Sequence, residues 1–215
     1  MRRTKEDAAK TRETIVSAAL ACFERHGLAQ STMEQIAAEA GVTKGAVYWH
    51  FANKHEIFHA LRQQVSLPLL DRADTTLLHA PETPAMQRVE RFLEATLTIL
   101  EEDRRTREAL GVMLFKCEYV DSLADELDDG RRNTRRLAES LEAAYAEAQR
   151  GGALRQDLSP RVAALDTLIF LTGLTRLWLL DRGHCGVRRD ARAALRAHLD
   201  SRRVAAAQRP ASASR

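Results

Sequence analysis

Gly41 splits the stretch from Thr32 to Phe58, TMEQIAAEAGVTKGAVYWHFANKHEIF, into two short helical patterns that one continuous helix cannot satisfy. Before it, Met33, Ile36, Ala37 and Ala40 recur at helical spacing and give one buried face. Thr32 with Gln35, and the overlapping Ser31 with Glu34, both have the form that starts a helix by satisfying its orphan N–H groups. After Gly41, Val42 points inward and Thr43 caps a second helix, about Lys44 to His50. That helix offers only Ala46 and Val47 to a core, and leaves Lys44, Tyr48, Trp49 and His50 for some other use. One helix face cannot bury three rings in a row. A short helix with Lys, Tyr, Trp and His on it, held at an angle by its predecessor, is a helix-turn-helix pattern, whose second helix enters the major groove of DNA.

Composition sets the frame around that pattern. Abundant Ala, Leu, Glu and Arg with only five Pro and ten Gly, and no run of alternating β-branched residues, predict an all-α chain without a sheet. The formal charge of +3 is unevenly placed. From Arg182 to Arg215 there are nine Arg against two Asp, so the remaining residues carry 24 basic against 28 acidic side chains. The basic balance therefore says nothing for DNA binding by the second helix. Locally the N-terminus does better, with Arg2, Arg3, Lys5, Lys10 and Arg12, diluted by Glu6, Asp7 and Glu13. Cys22, Cys117 and Cys185 show no CxxC spacing, so neither zinc nor a disulfide framework is expected, and a reducing cytoplasm is the simplest setting. No apolar run follows the charged N-terminus, so no signal peptide is expected. Val162 to Leu180 is near membrane-spanning length, but Asp166, Thr172 and Arg176 within it favour a buried helix.

Taken in order, the chain reads as about nine helices. Helix 1 runs from about Asp7 to His26 and ends at Gly27, with Ile15, Ala19, Cys22 and Phe23 as its stripe; Cys22 is a small core residue. Helix 4 opens with a capping box of Asn53 and Glu56 and carries Ile57, Phe58, Leu61 and Val65, with a kink at Pro68 and an end near Leu78. Its positive N-terminal end beside Lys54 suits a phosphate. Thr83-Pro84 starts helix 5; a break within Glu101–Arg107 precedes helix 6, which reaches about Tyr119. Ser122 with Asp125 caps helix 7, which ends at Gly151-Gly152. Ser159-Pro160 opens helix 8, about Arg161 to Leu180, and helix 9 spans about Val187 to Arg202. The expected domains are residues 1–54 for DNA binding, 55–203 for ligand binding and dimerisation, and a disordered tail over 204–215.

The block FxxxG (Phe23 to Gly27) followed by T-x-x-x-I-A-x-x-A-G-V-T-K-G-A-V-Y-W-H-F-x-N-K resembles the DNA-binding domain of the TetR family of bacterial transcriptional repressors. The opening MRRTKEDAAKTR, the stretch from Phe115 to Tyr119 and that from Gly173 to Leu180 are similar to the multidrug-efflux regulators of that family, the AcrR, TtgR and MtrR group. The resemblance implies that Thr43, Lys44 and Gly45 approach the major groove, that Tyr48 and His50 meet phosphate or base edges, and that Lys54 grips phosphate. Thr32 is a further phosphate candidate, through its hydroxyl and backbone N–H. Trp49 suits either packing against helix 4 or lying along the sugar-phosphate backbone. Most such contacts position the helix and do not read sequence.

A single helix-turn-helix reads few base pairs, so a palindromic operator and a homodimer are expected, with recognition helices about one DNA turn (~34 Å) apart. Helices 8 and 9 are the expected interface, through Leu174, Leu177, Trp178 and Leu195. The resemblance also implies a broad pocket for a small hydrophobic inducer, drawn from Leu67, Phe92, Leu110, Met113, Leu114, Cys117, Leu168, Leu171, Thr172 and Arg176. Leu110, Leu114 and Thr172 stand where relatives have more polar residues, which points to more apolar compounds. Arg176 serves equally as a polar handle for a ligand or as an ion-pair partner of Glu118 or Asp166. His184-Cys185 lies in a Gly-flanked loop without an orienting third group, so nucleophilic chemistry is not expected. No cofactor, metal site, catalytic group or membrane span is expected. The functional expectation is a ligand-responsive repressor controlling a multidrug efflux pump; the alternative is a regulator with no inducer, whose C-terminal part only dimerises or holds a protein partner.

Overall fold

The computed structural model describes residues 5–204 apart from 79, 81, 118–122, 182 and 184. Among the described residues there are nine α-helices: α1 (Lys5–Gln30), α2 (Met33–Glu39), α3 (Lys44–His50), α4 (Lys54–Leu77), α5 (Ala85–Glu102), α6 (Arg104–Phe115), α7 (Ala124–Arg150), α8 (Pro160–Leu180) and α9 (Val187–Asp200). The one β feature described is an isolated antiparallel bridge between Leu154 and Arg203. Of the expected disordered tail over 204–215, residues 205–215 lie outside the described residues, as does Ser122 of the expected α7 cap, while the Val204 N–H donates to the Ala153 carbonyl at 3.2 Å.

Helix ends follow the local chemistry. Ser159 accepts a hydrogen bond from the Val162 N–H with Pro160 at the first helical position, which fixes the start of α8. Asp103 does the same for α6 through the Thr106 N–H, so the break after α5 is a single residue and α6 begins two residues before Thr106. The start of α5 differs from expectation. Its first carbonyl acceptor is Pro84, and the Thr83 hydroxyl takes a bond from Arg91 instead of capping. Gly27 interrupts α1 with φ 77 and ψ 163, a conformation essentially open only to glycine. The predicted end is thus a break, after which one more turn leads to Gln30. α4 continues as one helix past Pro68.

The chain divides into two compact units, and the division is not the one that sequence order suggests. One unit takes the residues to Pro68 together with Asp103–Arg131; the other takes Leu69–Glu102 and the residues from Arg132 on. The reason is α1. It packs against α2 and α3 and also against α6, so Ile15, Val16, Ala18, Ala19, Leu20, Cys22 and Phe23 are all buried. The Leu28 N–H donates to the Lys116 carbonyl at 3.1 Å, Lys116 donates to the Glu24 carbonyl, and Arg105 pairs with Glu13. Ile36, Val47, Ile57, Phe58 and Leu61 complete this core, with Phe23 edge-on to Phe58 at 6.3 Å. Each such side chain contributes about 1.5–3 kcal/mol as an upper bound.

In the second unit, α5, α8 and α9 pack together around Val89, Leu93, Leu97, Ala163, Leu195 and Leu199. Fully buried Tyr145 and Thr167 share a hydrogen bond of 2.7 Å. His198 Nε2 lies 3.2 Å from the same Thr167 oxygen, and the imidazole stacks on Phe170 at 3.9 Å. Desolvation pushes the His198 pKa down to about 4 from the ordinary 6.5. The unfolded chain then binds a proton near pH 6.5 that the folded chain refuses until about pH 4, so this contribution is complete above pH 6.5 and is lost as pH falls toward 4. With solvent screening of the part-exposed ring, the loss is of order 1–2 kcal/mol. Denaturant unfolding at mildly acidic and neutral pH checks this: His198→Gln is expected to be less stable at neutral pH and to lose less stability on acidification than the parent.

Candidate nucleic-acid interface

The turn between α2 and α3 is built by its own hydrogen bonds. Thr32 is the N-cap of α2. Its hydroxyl oxygen accepts from the Gln35 N–H at 3.2 Å while the Gln35 side chain accepts from the Thr32 N–H at 2.9 Å. Ser31 is not part of a second box; its hydroxyl donates to the Gly27 carbonyl at 2.8 Å. At the other end Val42 N–H donates to Ala37 and Gly41 N–H to Ala38, with Gly41 at φ 64. This is a Schellman stop, which satisfies the last carbonyls of α2 only if Gly41 turns left-handed. Thr43 then caps α3, its hydroxyl oxygen accepting from the Ala46 N–H at 3.1 Å.

α3 sends a single fully buried side chain, Val47, inward. Thr43, Lys44 and Gly45 are exposed at its start, Tyr48 is 47% exposed and Trp49 is 69% exposed. That exposure takes Trp49 off the surface of α4 and leaves it available outside. Lys44 Nζ lies 5.7 Å from the Tyr48 ring centroid, one turn along the same face. Lys44 also pairs with Glu34 of α2, and that hydrogen bond holds the Glu34 carboxyl below and the Lys44 ammonium above their ordinary pKa ranges.

Two predicted contacts are less exposed and already engaged within the unit. His50 is half-buried, edge-on to Trp49 at 4.5 Å, and lines a cleft of about 500 Å³ with Arg12, Phe51, Glu56, His59 and Asp125. It leaves the exposed row because the chain turns at Phe51, which is buried under the Arg12 guanidinium. Lys54 is also engaged: its ammonium donates to the Ala29 carbonyl at 2.6 Å and the Ser31 carbonyl at 3.1 Å. It ties the start of α4 to the α1–α2 junction. At the start of α4 the Asn53 side chain accepts from the Glu56 N–H at 3.0 Å, and the Glu56 carboxylate accepts from the Ala52 N–H at 2.9 Å.

The predicted pocket residues divide between the two units. Leu110, Met113, Leu114 and Cys117 belong to the first, and Phe92, Leu168, Leu171, Thr172 and Arg176 to the second. Phe92 and Met113 are buried, Leu110, Cys117, Leu168 and Leu171 are half-buried, and Leu114 is exposed. The Leu67 side chain lies outside the described residues, as does Glu118. Asp166 takes Arg202 as its ion-pair partner. Thr172 and Arg176 are exposed, because the helical period puts them within roughly 60° of Ile169.

α8 does carry an outward apolar face, as expected of an interface helix, but largely different residues form it. α8 is long and apolar enough to cross a membrane, yet only 28% of its most apolar window is buried. Val162, Leu165, Ile169, Leu177 and Leu180 are each more than half exposed and fall along one broad stripe. Leu174, Trp178 and Leu195, expected at the interface, are instead buried inside the unit; of the four expected there, Leu177 alone is exposed. In the first half of α8 a helical wheel carries part of this signal, since the inward Ala163, Ala164 and Thr167 are smaller than the outward Val162, Leu165 and Ile169.

Capped short helices, a left-handed glycine turn and an outward Lys-Tyr-Trp surface define a helix-turn-helix regulator. Residues 15–61 match the family model for bacterial regulatory proteins of the TetR family, and residues 84–203 match that for the C-terminal region of MAATS-type transcriptional repressors. The chain belongs to the TetR family and is a transcriptional repressor, not an enzyme. It is 34% identical to the HTH-type transcriptional regulator TtgR of Pseudomonas putida over 184 residues, 84% of this chain and 85% of TtgR. It is 31% identical to the repressor BepR of Brucella suis, over 83% of this chain and 85% of BepR. Among solved structures it is similar to NalD, the secondary repressor of the MexAB-OprM multidrug efflux pump in Pseudomonas aeruginosa, with TM-score 0.76, 29% identity, and 93% and 98% of the two chains covered. The SmeT–triclosan complex gives TM-score 0.79 at 28% identity, covering 96% and 98%.

Lys54 gives the test of this geometry. Lys54→Ala is expected to lower the melting temperature, by a loss of about 1–3 kcal/mol, and to leave the salt dependence of DNA binding unchanged. A shallower salt dependence at unchanged melting temperature would return Lys54 to the phosphate contacts.

Proposed function

We propose that this chain works as a cytoplasmic homodimer that binds a palindromic operator through α3 and is released by small hydrophobic compounds, controlling a multidrug efflux operon. The observation that carries the reading is α3, whose seven residues expose Lys44, Gly45, Tyr48 and Trp49 beside the exposed cap Thr43 and have Val47 as their one fully buried member. Thr32 and Thr43, at two helix starts, suit phosphate, and Lys44 with Tyr48 suits base edges or backbone. Efflux control is supported by the similarity to TtgR, NalD and SmeT along most of the chain.

The apolar stripe of α8 supports the dimer. Five large apolar side chains left in water on one helix mark an association surface. A two-fold partner offering the same stripe covers it with itself, and such an isologous contact closes after two copies. Thr172 and Arg176, on this stripe, then belong with the partner contact and not with an enclosed pocket. Ile169→Asp is expected to give a well-folded monomer in sedimentation, with operator affinity reduced by at least 10-fold; Leu174→Asp, placed inside the unit, is expected to unfold it. An Ile169→Asp protein that remains a dimer would move the interface off α8.

Ligand control requires a compound with unequal affinity for the DNA-bound and released states; equal affinity shifts nothing. A coupling of about 1–3 kcal/mol, roughly 5- to 150-fold, suffices. Within the first unit the half-buried Leu110 and Cys117 and the buried Met113 supply an apolar lining, and within the second the buried Phe92 and the half-buried Leu168 and Leu171 do; α4 contributes residues to both units. Triclosan, bound by SmeT, and hydrophobic antibiotics are the compounds to titrate into a protein–operator complex. Release of operator at concentrations where the compound binds free protein is the expected result. Binding without release by every compound that binds would favour a regulator with no small-molecule inducer.

A further inference from the structure

From Ser31 to His50 the helix-turn-helix carries two carboxylates, Glu34 and Glu39, against one lysine, Lys44, so the segment that faces a polyanion is itself net negative. Neither acid is idle. Glu39 pairs with Arg25 of α1, and Glu34, in the first turn of α2, pairs with Lys44, in the first turn of α3. Both members of the second pair are more than half exposed, at 56% and 57%, so this ion pair lies on the open surface and not in the core. An exposed pair of this kind adds little to folding, which leaves its placement at the start of the recognition helix without a structural reason. Lys44 also stands over the Tyr48 ring, one turn along. Its ammonium is therefore bracketed by a carboxylate on one helix and an aromatic face on the other.

An ammonium has three N–H donors on a flexible four-carbon stem. Untethered, such a group follows the highest negative potential and settles on phosphates, which are present in every sequence. Tethered by one donor to Glu34 and set over the Tyr48 ring, it contributes almost no net charge at a distance, and its two remaining donors are biased toward one direction. Those donors suit the paired acceptors of a guanine edge in the major groove. We propose that Glu34 is a specificity-determining positioning residue: it holds Lys44 for a base edge and withholds it from phosphate-only binding. The idea rests on the DNA-binding reading above and adds which residue limits binding to the wrong DNA.

The experiment compares the full-length parent, Glu34→Gln, Lys44→Ala and the double variant, each checked for an unchanged unfolding profile. The probes are a duplex selected by the parent from a random library and a random duplex of equal length, each titrated over a range of salt. For Glu34→Gln, affinity for random duplex is expected to rise about 3-fold or more, its salt slope to steepen by about one phosphate contact, and the selected-to-random ratio to fall at least 3-fold. In the Lys44→Ala background the same change is expected to leave that ratio within about 2-fold, roughly the limit of additivity for unlinked sites. A ratio unchanged by Glu34→Gln, whether both affinities rise or both fall, overturns the proposal, as does an equal fall of the ratio when Lys44 is absent. If the parent selects no duplex at all, the DNA-binding reading fails; if it selects one and the ratio does not move, this proposal alone fails.

Discussion

The first unit depends on a helix buried along two sides. α1 packs against α2 and α3 and also against α6, so the core beneath the recognition helix is shared with a segment that begins some fifty residues after it. The contacts that fix this are short-range and of mixed kind: apolar packing of Ile15, Val16, Leu20 and Phe23, the Leu28 amide on the Lys116 carbonyl, and the Glu13–Arg105 pair. Removing any one leaves the others to hold α6 in place, as expected of a core that is contiguous and dense. Gly27 is the exception. No side-chain contact substitutes for a backbone that must adopt φ 77 at the point where α1 meets its next turn.

Much of the helical order was legible because capping chemistry is local. Thr32, Thr43, Ser159-Pro160 and the Gly151-Gly152 stop each act over three or four residues, and a local rule is visible in a local string. The two-sided burial of α1 was not legible. A stripe of Ile15, Ala19, Cys22 and Phe23 looks like one face, yet Val16, Ala18 and Leu20 are buried as well, and α1 also packs against α6, a partner distant in sequence. The discontinuous first unit escaped for the same reason.

The site residues show where resemblance and side-chain chemistry part. Thr43, Lys44 and Tyr48 stand outward as short capped helices require. Lys54 and His50 do not, because a lysine within reach of two helix-terminal carbonyls is held there, and a ring beside a chain reversal is drawn to the cleft the reversal makes. For α8 the interface helix was expected but most of its outward residues were not: Leu174 and Trp178 pack inside with Ala163, Ala164 and Thr167, while Val162, Leu165, Ile169, Leu177 and Leu180 face out. Composition measures how much a helix wants to be covered; only the order of residues says from which side.

Arg131 closes the first unit, and Pro160 opens α8. On a ribosome, where segments pack in the order they emerge, every residue of the first unit has therefore been made before the stripe from Val162 to Leu180 leaves the exit tunnel. The adhesive surface arrives last, onto a chain whose earlier helices are already placed, and the time during which a nascent chain carries both open core and open stripe is shortened to the synthesis of its final quarter.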